Sequence, residues 1–508
     1  MGREEQITQE RLRKISELKK QEINPYPNKF DKKQTCAECL KLKLGAKVKT
    51  AGRLMTKRDI GKIAFCVLKD DSGKIQLVFQ EGETPQKEKD FFKKYLDSGD
   101  FVGIQGEIIK TKTGEISILI KKIEILSKSI LPLPEKFHGI ADEEEKLRKR
   151  YLDILMNPEV KEMFVKKSKF WNAIRNFLLE KGFLEVETPV LENSAGGAAA
   201  TPFKTHHNAL DIDIFLRISM GELWQKKLMV AGYEKTFEIG RQFRNEGIDM
   251  EHLQDYTQME FYWAYANYED GMKLVEEMYK KIAKEIFETL KFESHGYKID
   301  LGKKWEIYDF ENLIKKETKI EIYKSDKKEI LKKLEELSQR DDPRGPSSKD
   351  DSGEPSGEPK IDLDLNLDKW KMIDLLWKYC RKKISGPGFL INQPVELSPL
   401  AKRNSEDSKK VEQFQVIIAG TELGNGYSEL NDPIDQEERF RRQSELKKAG
   451  DKESMEHDKS FAEALKYGMP PTCGFGVSER LFSYLMNKPI RECVIFPLMK
   501  SEIGEKKD

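Results

Sequence analysis

Two periodicities alternate along the chain, and the segment Phe237–Tyr265 shows the strand period most clearly. It predicts two strands joined by a polar connection. In the first, Phe237, Ile239 and Phe243 share one face, and Glu238, Gln242 and Arg244 share the other. In the second, Thr257, Met259, Phe261, Trp263 and Tyr265 form a core face, while Tyr256, Gln258, Glu260 and Tyr262 point the other way. The polar face of this hairpin could simply be solvated. Helical spacing predicts a surface helix over residues 1–22, a charged helix over Ala141–Met156 and a long amphipathic helix over Pro158–Lys181 with Phe164, Phe170, Ile174, Phe177 and Leu178 inward. Further helices are expected over residues 221–231 and 270–290, from Pro433 to about Lys448 after an Asp432 cap, and over Glu479–Asn487. Phe389–Ile391 and Phe414–Ala419 read as strands, and Gly474-Phe-Gly476 as a turn.

Between Val48 and Leu126 five short β-rich runs follow one another, with turn signals at Asp71-Ser-Gly73 and Lys112-Thr-Gly114. A helix around Glu88–Leu96 separates the third from the fourth. This pattern predicts an OB-fold barrel, an architecture that commonly binds oligonucleotides. Phe65, Gln76, Lys57 and Arg58 are its candidates for stacking, base-edge and phosphate contacts. The fold class is therefore α+β. Residues 1–40 are expected to form an N-terminal helical extension, 41–130 the barrel and 131–150 a linker around Leu131-Pro-Leu-Pro134. Residues 151–508 are expected to form a larger domain with an antiparallel sheet flanked by helices. Its Lys/Glu-rich stretch at about 295–372 reads as an insertion, with a disordered linker over 340–364.

Composition narrows the function classes. Charged residues make up 35% of the 508 and no run of ~18 apolar residues exists, so a membrane-spanning helix is not expected. The start of the chain lacks the apolar core of a signal peptide, and a cytoplasmic protein is expected. The net charge of +1 leaves anionic partners to local patches, such as residues 1–50 with 13 Lys and Arg against 7 Asp and Glu. Cys36-x-x-Cys39 has zinc-ligand spacing but no second pair nearby, so the six cysteines read as reduced thiols. Neither of the two familiar glycine-rich phosphate loops is present.

Three stretches resemble the signature motifs of class II aminoacyl-tRNA synthetases: helix 158–181 with GFLEVETPVL, the hairpin 237–262, and GFGVSERLFSYL at 474–485. Residues 195–219, ELSPLAKRN at 396–404 and ELGNGYSELNDPIDQEERF at 422–440 narrow the resemblance to the class II lysyl-tRNA synthetases. It covers nearly the whole chain. It implies activation of L-lysine with ATP and Mg²⁺, transfer to tRNA(Lys), and a homodimer built on motif 1. Carried over residue by residue, it implies ATP contacts by Arg244, Glu246, His252, Tyr256, Glu422 and Arg480, with Arg244 and Arg480 stabilising the transferring phosphate. Glu422 would hold Mg²⁺, with Gln415 standing where the family has a second metal-binding Glu. Glu222 and Glu429 would meet the lysine ammonium, Tyr262 and Tyr427 would wall its stem, and Glu260 and Asn425 would serve its α-amino and carboxylate end. Gly197 would close the pocket. In the barrel, Phe65 and Gln76 would read the central anticodon uridine, with Lys57, Arg58 and Glu115 around it.

The chain departs from the family pattern at Gln415, at Glu251 where an Arg is common, in a motif 3 shorter by one residue, and in RISMGELWQKK, longer by one. Aspartyl- and asparaginyl-tRNA synthetases share the layout but need a cation for their substrate carboxylate, which Glu222 and Glu429 do not supply. A ligase adding lysine to a protein would lack the barrel. A catalytically dead tRNA-binding scaffold would not need Arg244, Glu246, His252 and Arg480.

Overall fold

The computed structural model describes residues 2–134, 142–194, 196–198, 200–247, 251–338, 368–448 and 457–500. The expected linker over 340–364 lies outside the described residues for all its length. The chain forms two compact units, 1–156 and 157–508.

The first unit is a closed five-stranded barrel, formed by Lys47–Ile60, Ile63–Lys69, Lys74–Gln80, Phe101–Lys110 and Ile116–Ser127. The third strand pairs in parallel with the fifth, and the first closes onto the fourth. Helix Gln86–Tyr95 lies between the third and fourth strands, and its Phe92 stacks on Phe79 at 4.1 Å. The N-terminal residues are not a separate extension. Leu18 of helix Arg3–Lys20 and both Cys36 and Cys39 belong to the barrel's core. Arg11 donates to the carbonyls of Ser98 and Leu131, and Lys14 pairs with Asp97 at 2.8 Å. The charged segment expected as one helix is two, Glu143–Arg148 and Arg150–Met156, and both fall in this first unit. All six cysteines are buried free thiols.

The second unit is built on an eight-stranded sheet. Its order is Glu306–Asp309, Gly388–Ile391, Gln413–Ile418, Thr421–Ser428, Thr472–Ser478, Asp255–Ala264, Lys235–Phe243 and Leu184–Glu185. The strands are antiparallel except at the two edges. One face is covered by helices Pro158–Glu180 and Tyr268–Phe287, whose apolar stripes pack on Phe237, Met259, Phe261, Phe414 and Phe475. Pro at the first turn starts the former helix, and an Asn267/Asp270 capping box starts the latter. Strand Leu184–Glu185 is two residues long and forms the sheet edge, paired in parallel with Lys235–Phe243.

The stretch at about 295–372, expected as an insertion within this domain, contributes Glu306–Asp309 as an edge strand of the central sheet. Helices Phe310–Thr318, Lys327–Ser338 and Lys369–Arg381 share a core with Leu390 and Ile417 of that sheet. Two expectations are corrected. Gly474 and Gly476 lie in a strand, not a turn. A Cβ on Gly474 would lie 2.1 Å from Oε1 of Glu429, so the glycine serves close approach. Tyr265 is 71% exposed with φ 64°, because the strand ends at Ala264 and the chain turns away from the core.

Candidate active site

The hairpin's polar face is not solvated. Glu238, Gln242, Glu260 and Tyr262 are all buried, because segments from elsewhere cover them. Side-chain amides run along this face in series. Gln242 donates to Tyr256 Oη and, at 2.9 Å, to Gln258 Oε1, and Gln258 donates to Glu260 Oε1 at 2.6 Å. Gln242 and Gln258 were not among the sequence candidates, although the strand period places them on the same face. Glu238 holds the fold around the site: it pairs with Arg217 at 2.6 Å and accepts from Thr188 Oγ1 at 2.6 Å.

At one end of the face, three buried carboxylates converge. Gly221, in the left-handed conformation, starts helix Glu222–Val230 and aims Glu222 inward. Glu429 follows strand Thr421–Ser428, and Glu260 comes from the hairpin. Lys226, one helical turn after Glu222, places its ammonium 2.7 Å from Glu222 Oε1 and 2.6 Å from Glu429 Oε2. Tyr427 Oη donates to Glu222, and Tyr262 Oη donates to Glu260 at 3.0 Å. Glu260 also accepts from the Met220 amide at 3.0 Å. Burial pushes the Glu260 carboxyl up to about 7, and the neighbouring Glu222 charge adds to the shift. Burial likewise raises Glu429, against the pull of Lys226. Lys226 stays charged: burial opposes its ammonium, but Glu222 and Glu429 together outweigh it. Asn425 accepts from Gln413 Nε2 at 2.8 Å. Gly197 (φ +88°) packs so closely that a Cβ there would lie 2.5 Å from Ser219 Oγ and 3.2 Å from the Glu222 Cβ.

At the other end, the Arg244 guanidinium lies 5.9 Å from the Tyr256 ring centroid and donates through Nε to Ile218 O at 3.2 Å. Glu246 and His252 are exposed on the connection, which Gln254 shapes by donating to the carbonyls of Glu246 and Gly247. Arg480 begins helix Arg480–Leu485, donates to Glu422 O at 2.5 Å and faces Glu251 Oε2 at 3.5 Å. Glu251 also accepts from Tyr484 Oη and, at 3.3 Å, from Thr421 Oγ1. Burial opposes the charge on Glu251, but Arg480 and these hydrogen bonds hold its carboxyl below the ordinary range. The departure at position 251 therefore supplies a partner for the motif 3 arginine. Glu479 is wholly buried. It pairs with Lys167 of the long helix, accepts from the Thr257 amide at 3.2 Å and so fixes the start of the Arg480 helix.

Glu422 and Gln415 sit on neighbouring strands of the sheet. Burial raises the Glu422 carboxyl, and Gln415 Oε1 is a buried oxygen with no hydrogen-bond partner among the described residues. Two unspent oxygen donors fit a hard divalent cation. Among the described residues, no cluster of three or more His, Cys, Asp or Glu side chains could hold a metal.

In the barrel, Phe65 pairs in register with Arg58 and Val78, while Gln76 pairs with Val67 and Ser117. Gln76 donates to Glu115 at 2.8 Å and accepts from Ser117 Oγ at 2.9 Å. Phe65, Arg58, Gln76 and Glu115 thus stay together on the outer side. Lys57 does not join them. It pairs with Cys66 on the inward side, and its ammonium caps the carbonyls of Phe92, Lys93 and Leu96 at 2.8, 3.1 and 2.8 Å. One step in register turns a side chain to the opposite face, so Lys57 is a helix cap and not a phosphate contact.

The family model described as tRNA synthetases class II (D, K and N) matches residues 142–500, and that of the OB-fold nucleic acid binding domain matches residues 48–126. The chain belongs to the class II tRNA synthetases of this D, K and N group. Among similar proteins, a lysine–tRNA ligase of Thermosipho melanesiensis is 39% identical over 99% of this chain and 98% of its own length. One of Thermotoga maritima is 40% identical over 99% and 98%. One of Pelotomaculum thermopropionicum is 41% identical over 98% and 96%.

Proposed function

We propose that this class II synthetase is a lysine–tRNA ligase. It joins L-lysine to AMP with release of pyrophosphate, then passes lysine to the 3′ end of tRNA(Lys). The observation that carries this reading is the convergence of Glu222, Glu260 and Glu429, each at least nine-tenths buried, at the end of the hairpin face. Buried carboxylates in excess of their cations are costly unless an amine ligand completes them.

In the first step a lysine carboxylate oxygen attacks the α-phosphorus of ATP. A P–O bond forms to the carboxylate and the bond to pyrophosphate breaks. Glu260 and Asn425 hold the α-amino and carboxylate end, Glu222 and Glu429 hold the side-chain ammonium, and Tyr262 and Tyr427 wall the methylene stem. Tyr256 stacks on adenine. Arg244 and Arg480 stabilise charge developing on the α-phosphate and the leaving group, a role in which preorganised cations are most effective. His252 and Glu246 meet the nucleotide from the connection. Glu422 and the Gln415 oxygen would hold Mg²⁺ bound with the nucleotide, and the ion would supply charge neutralisation at the phosphates. In the second step a ribose hydroxyl of the tRNA attacks the lysyl carbonyl and AMP leaves. The barrel reads the anticodon through Phe65, Gln76 and Glu115.

We infer a homodimer through the long helix Pro158–Glu180, supported by exposed Val165 and Leu179 on that helix. No described helix is long and apolar enough to cross a membrane, and we place the enzyme in the cytoplasm with its tRNA. ATP–pyrophosphate exchange with lysine, aspartate and asparagine tests the reading. Lysine-dependent exchange is expected. Exchange with aspartate in its place would overturn it.

A further inference from the structure

No step above uses Lys226, although it is 1% exposed and forms ion pairs with two buried carboxylates at once. Resting on the lysine-activating function above, we propose that Lys226 is a built-in counter-ion of the amino-acid pocket. It sets the charge of the empty pocket at two carboxylates in excess, matching an amino acid with two ammonium groups.

The argument begins with the helix. The spacing of Glu222 and Lys226 places both on one face of helix Glu222–Val230, so the ammonium reaches its own helix's carboxylate and Glu429 at once. Lys226 also lies 5.4 Å from the Tyr427 ring and 5.7 Å from the Phe461 ring, which wall it off from water. The charged groups facing this point come from three directions: Glu222 and Lys226 from the helix, Glu260 from the hairpin, and Glu429 from the segment after strand Thr421–Ser428. The remaining titratable neighbours, Tyr262, Tyr427 and Cys473, are all held neutral by burial. Three carboxylates thus share one internal ammonium.

Lysine brings two ammonium groups, one for each of the two carboxylates that Lys226 leaves unpaired, while its own carboxylate is directed at the ATP α-phosphorus that it attacks and so stands outside this pairing. An amino acid with a neutral side chain leaves one carboxylate buried and unpaired, which the pocket penalises. Without Lys226, three carboxylates would face two ammonium groups, and lysine itself would leave one unpaired. The empty pocket meets its excess by holding protons, in keeping with the raised Glu260 and Glu429 carboxyls. Lys226 therefore governs both how tightly lysine binds and the pH at which it does so.

The test measures lysine-dependent ATP–pyrophosphate exchange between pH 6 and pH 9, with KM for lysine and for ATP determined separately. In Lys226→Met, lysine KM at pH 7 is expected to rise about tenfold or more, and the midpoint of its pH profile to move up by about one pH unit or more. ATP KM should stay within about twofold, since Lys226 lies at the amino-acid end. An unmoved midpoint in a folded Lys226→Met enzyme would overturn the proposal, because a packing role leaves the titration where it was. The second arm uses the Glu222→Gln background, where the pocket keeps one excess carboxylate. Adding Lys226→Met there restores the excess of two, so the double variant is expected to bind lysine more tightly than Glu222→Gln alone. Equal or weaker binding would overturn the counter-ion role even if Lys226→Met by itself failed to fold. Absence of lysine-dependent exchange in the unaltered enzyme would instead refute the ligase reading, so the two failures are distinct.

Discussion

Replacing Glu429 by Gln removes one charge and almost no volume, which makes it a clean probe of the amino-acid pocket. The side chain is 1% exposed, and its carboxylate lies between Lys226 and the strand carrying Gly474. In Glu429→Gln, Lys226 keeps Glu222 as a partner at 2.7 Å, so the fold survives the change. The side-chain ammonium of the substrate keeps only one of its two carboxylates. Removing one member of a buried charge pair costs about 3–5 kcal/mol. At about 1.4 kcal/mol per factor of ten, kcat/KM for lysine falls by roughly 10² to 10³·⁵. The assay is ATP–pyrophosphate exchange with lysine varied at saturating ATP, then ATP varied at the highest attainable lysine. The ATP KM is expected to stay within about twofold, because Arg244, Tyr256 and Arg480 are untouched. A loss in kcat/KM of less than about tenfold, or a parallel rise in ATP KM, would refute the placement of the lysine ammonium.

Four further outcomes are expected. Lysine KM falls as pH rises through about 7 and then levels, because the Glu260 carboxyl is protonated below that value in the empty pocket and must ionise to accept the α-ammonium; a flat profile from pH 6 to pH 8 would contradict this. Gly474→Ala drives a methyl against Glu429 and Tyr262, at 2.1 and 2.8 Å, and lysine KM rises by about tenfold or more with little change in ATP KM; an unchanged lysine KM would show that the close approach is not needed. Phe65→Ala lowers tRNA charging by the loss of one base stack, about 1–3 kcal/mol, and spares adenylate formation; equal loss of both would refute the division of labour. Lys57→Ala lowers the unfolding midpoint of the barrel by removing a charged cap worth about 1–2 kcal/mol and leaves tRNA KM nearly unchanged; a large tRNA effect at full stability would return Lys57 to the RNA face.

The barrel was legible because its short runs are rich in β-forming residues and its turns carry glycine. The hairpin was legible from its strand period, which correctly grouped Tyr256, Glu260 and Tyr262. What the period could not convey is what lies across from a polar face. Glu260 reads as a surface residue until Glu222 and Glu429 arrive from 38 residues before and 169 after it in the chain. Strand Thr421–Ser428 carries Glu422, Asn425 and Tyr427, yet its glycines and polar residues hide any strand pattern. Gly474 and Gly476 misled for a related reason: glycine marks a turn by its φ and a close approach by its missing Cβ, and local sequence does not tell the two apart. Lys57 shows the limit of composition near a nucleic-acid surface. Its neighbour Arg58 has the outward register, and only strand pairing separates the two.

The strand order has a consequence for how the protein comes into being. Strand Thr472–Ser478 sits between the hairpin and strand Thr421–Ser428, and Glu479 directly after it ties Lys167 to Thr257. During synthesis the hairpin emerges from the ribosome more than 200 residues before the strand that must lie against it. Until then the sheet is two halves with open edges, and edges of that kind invite pairing with other chains. A chain released before Thr472 has every residue proposed for adenine and the lysine stem, yet has no floor joining them. Strand Thr472–Ser478 is the segment that joins the two half-sheets into one.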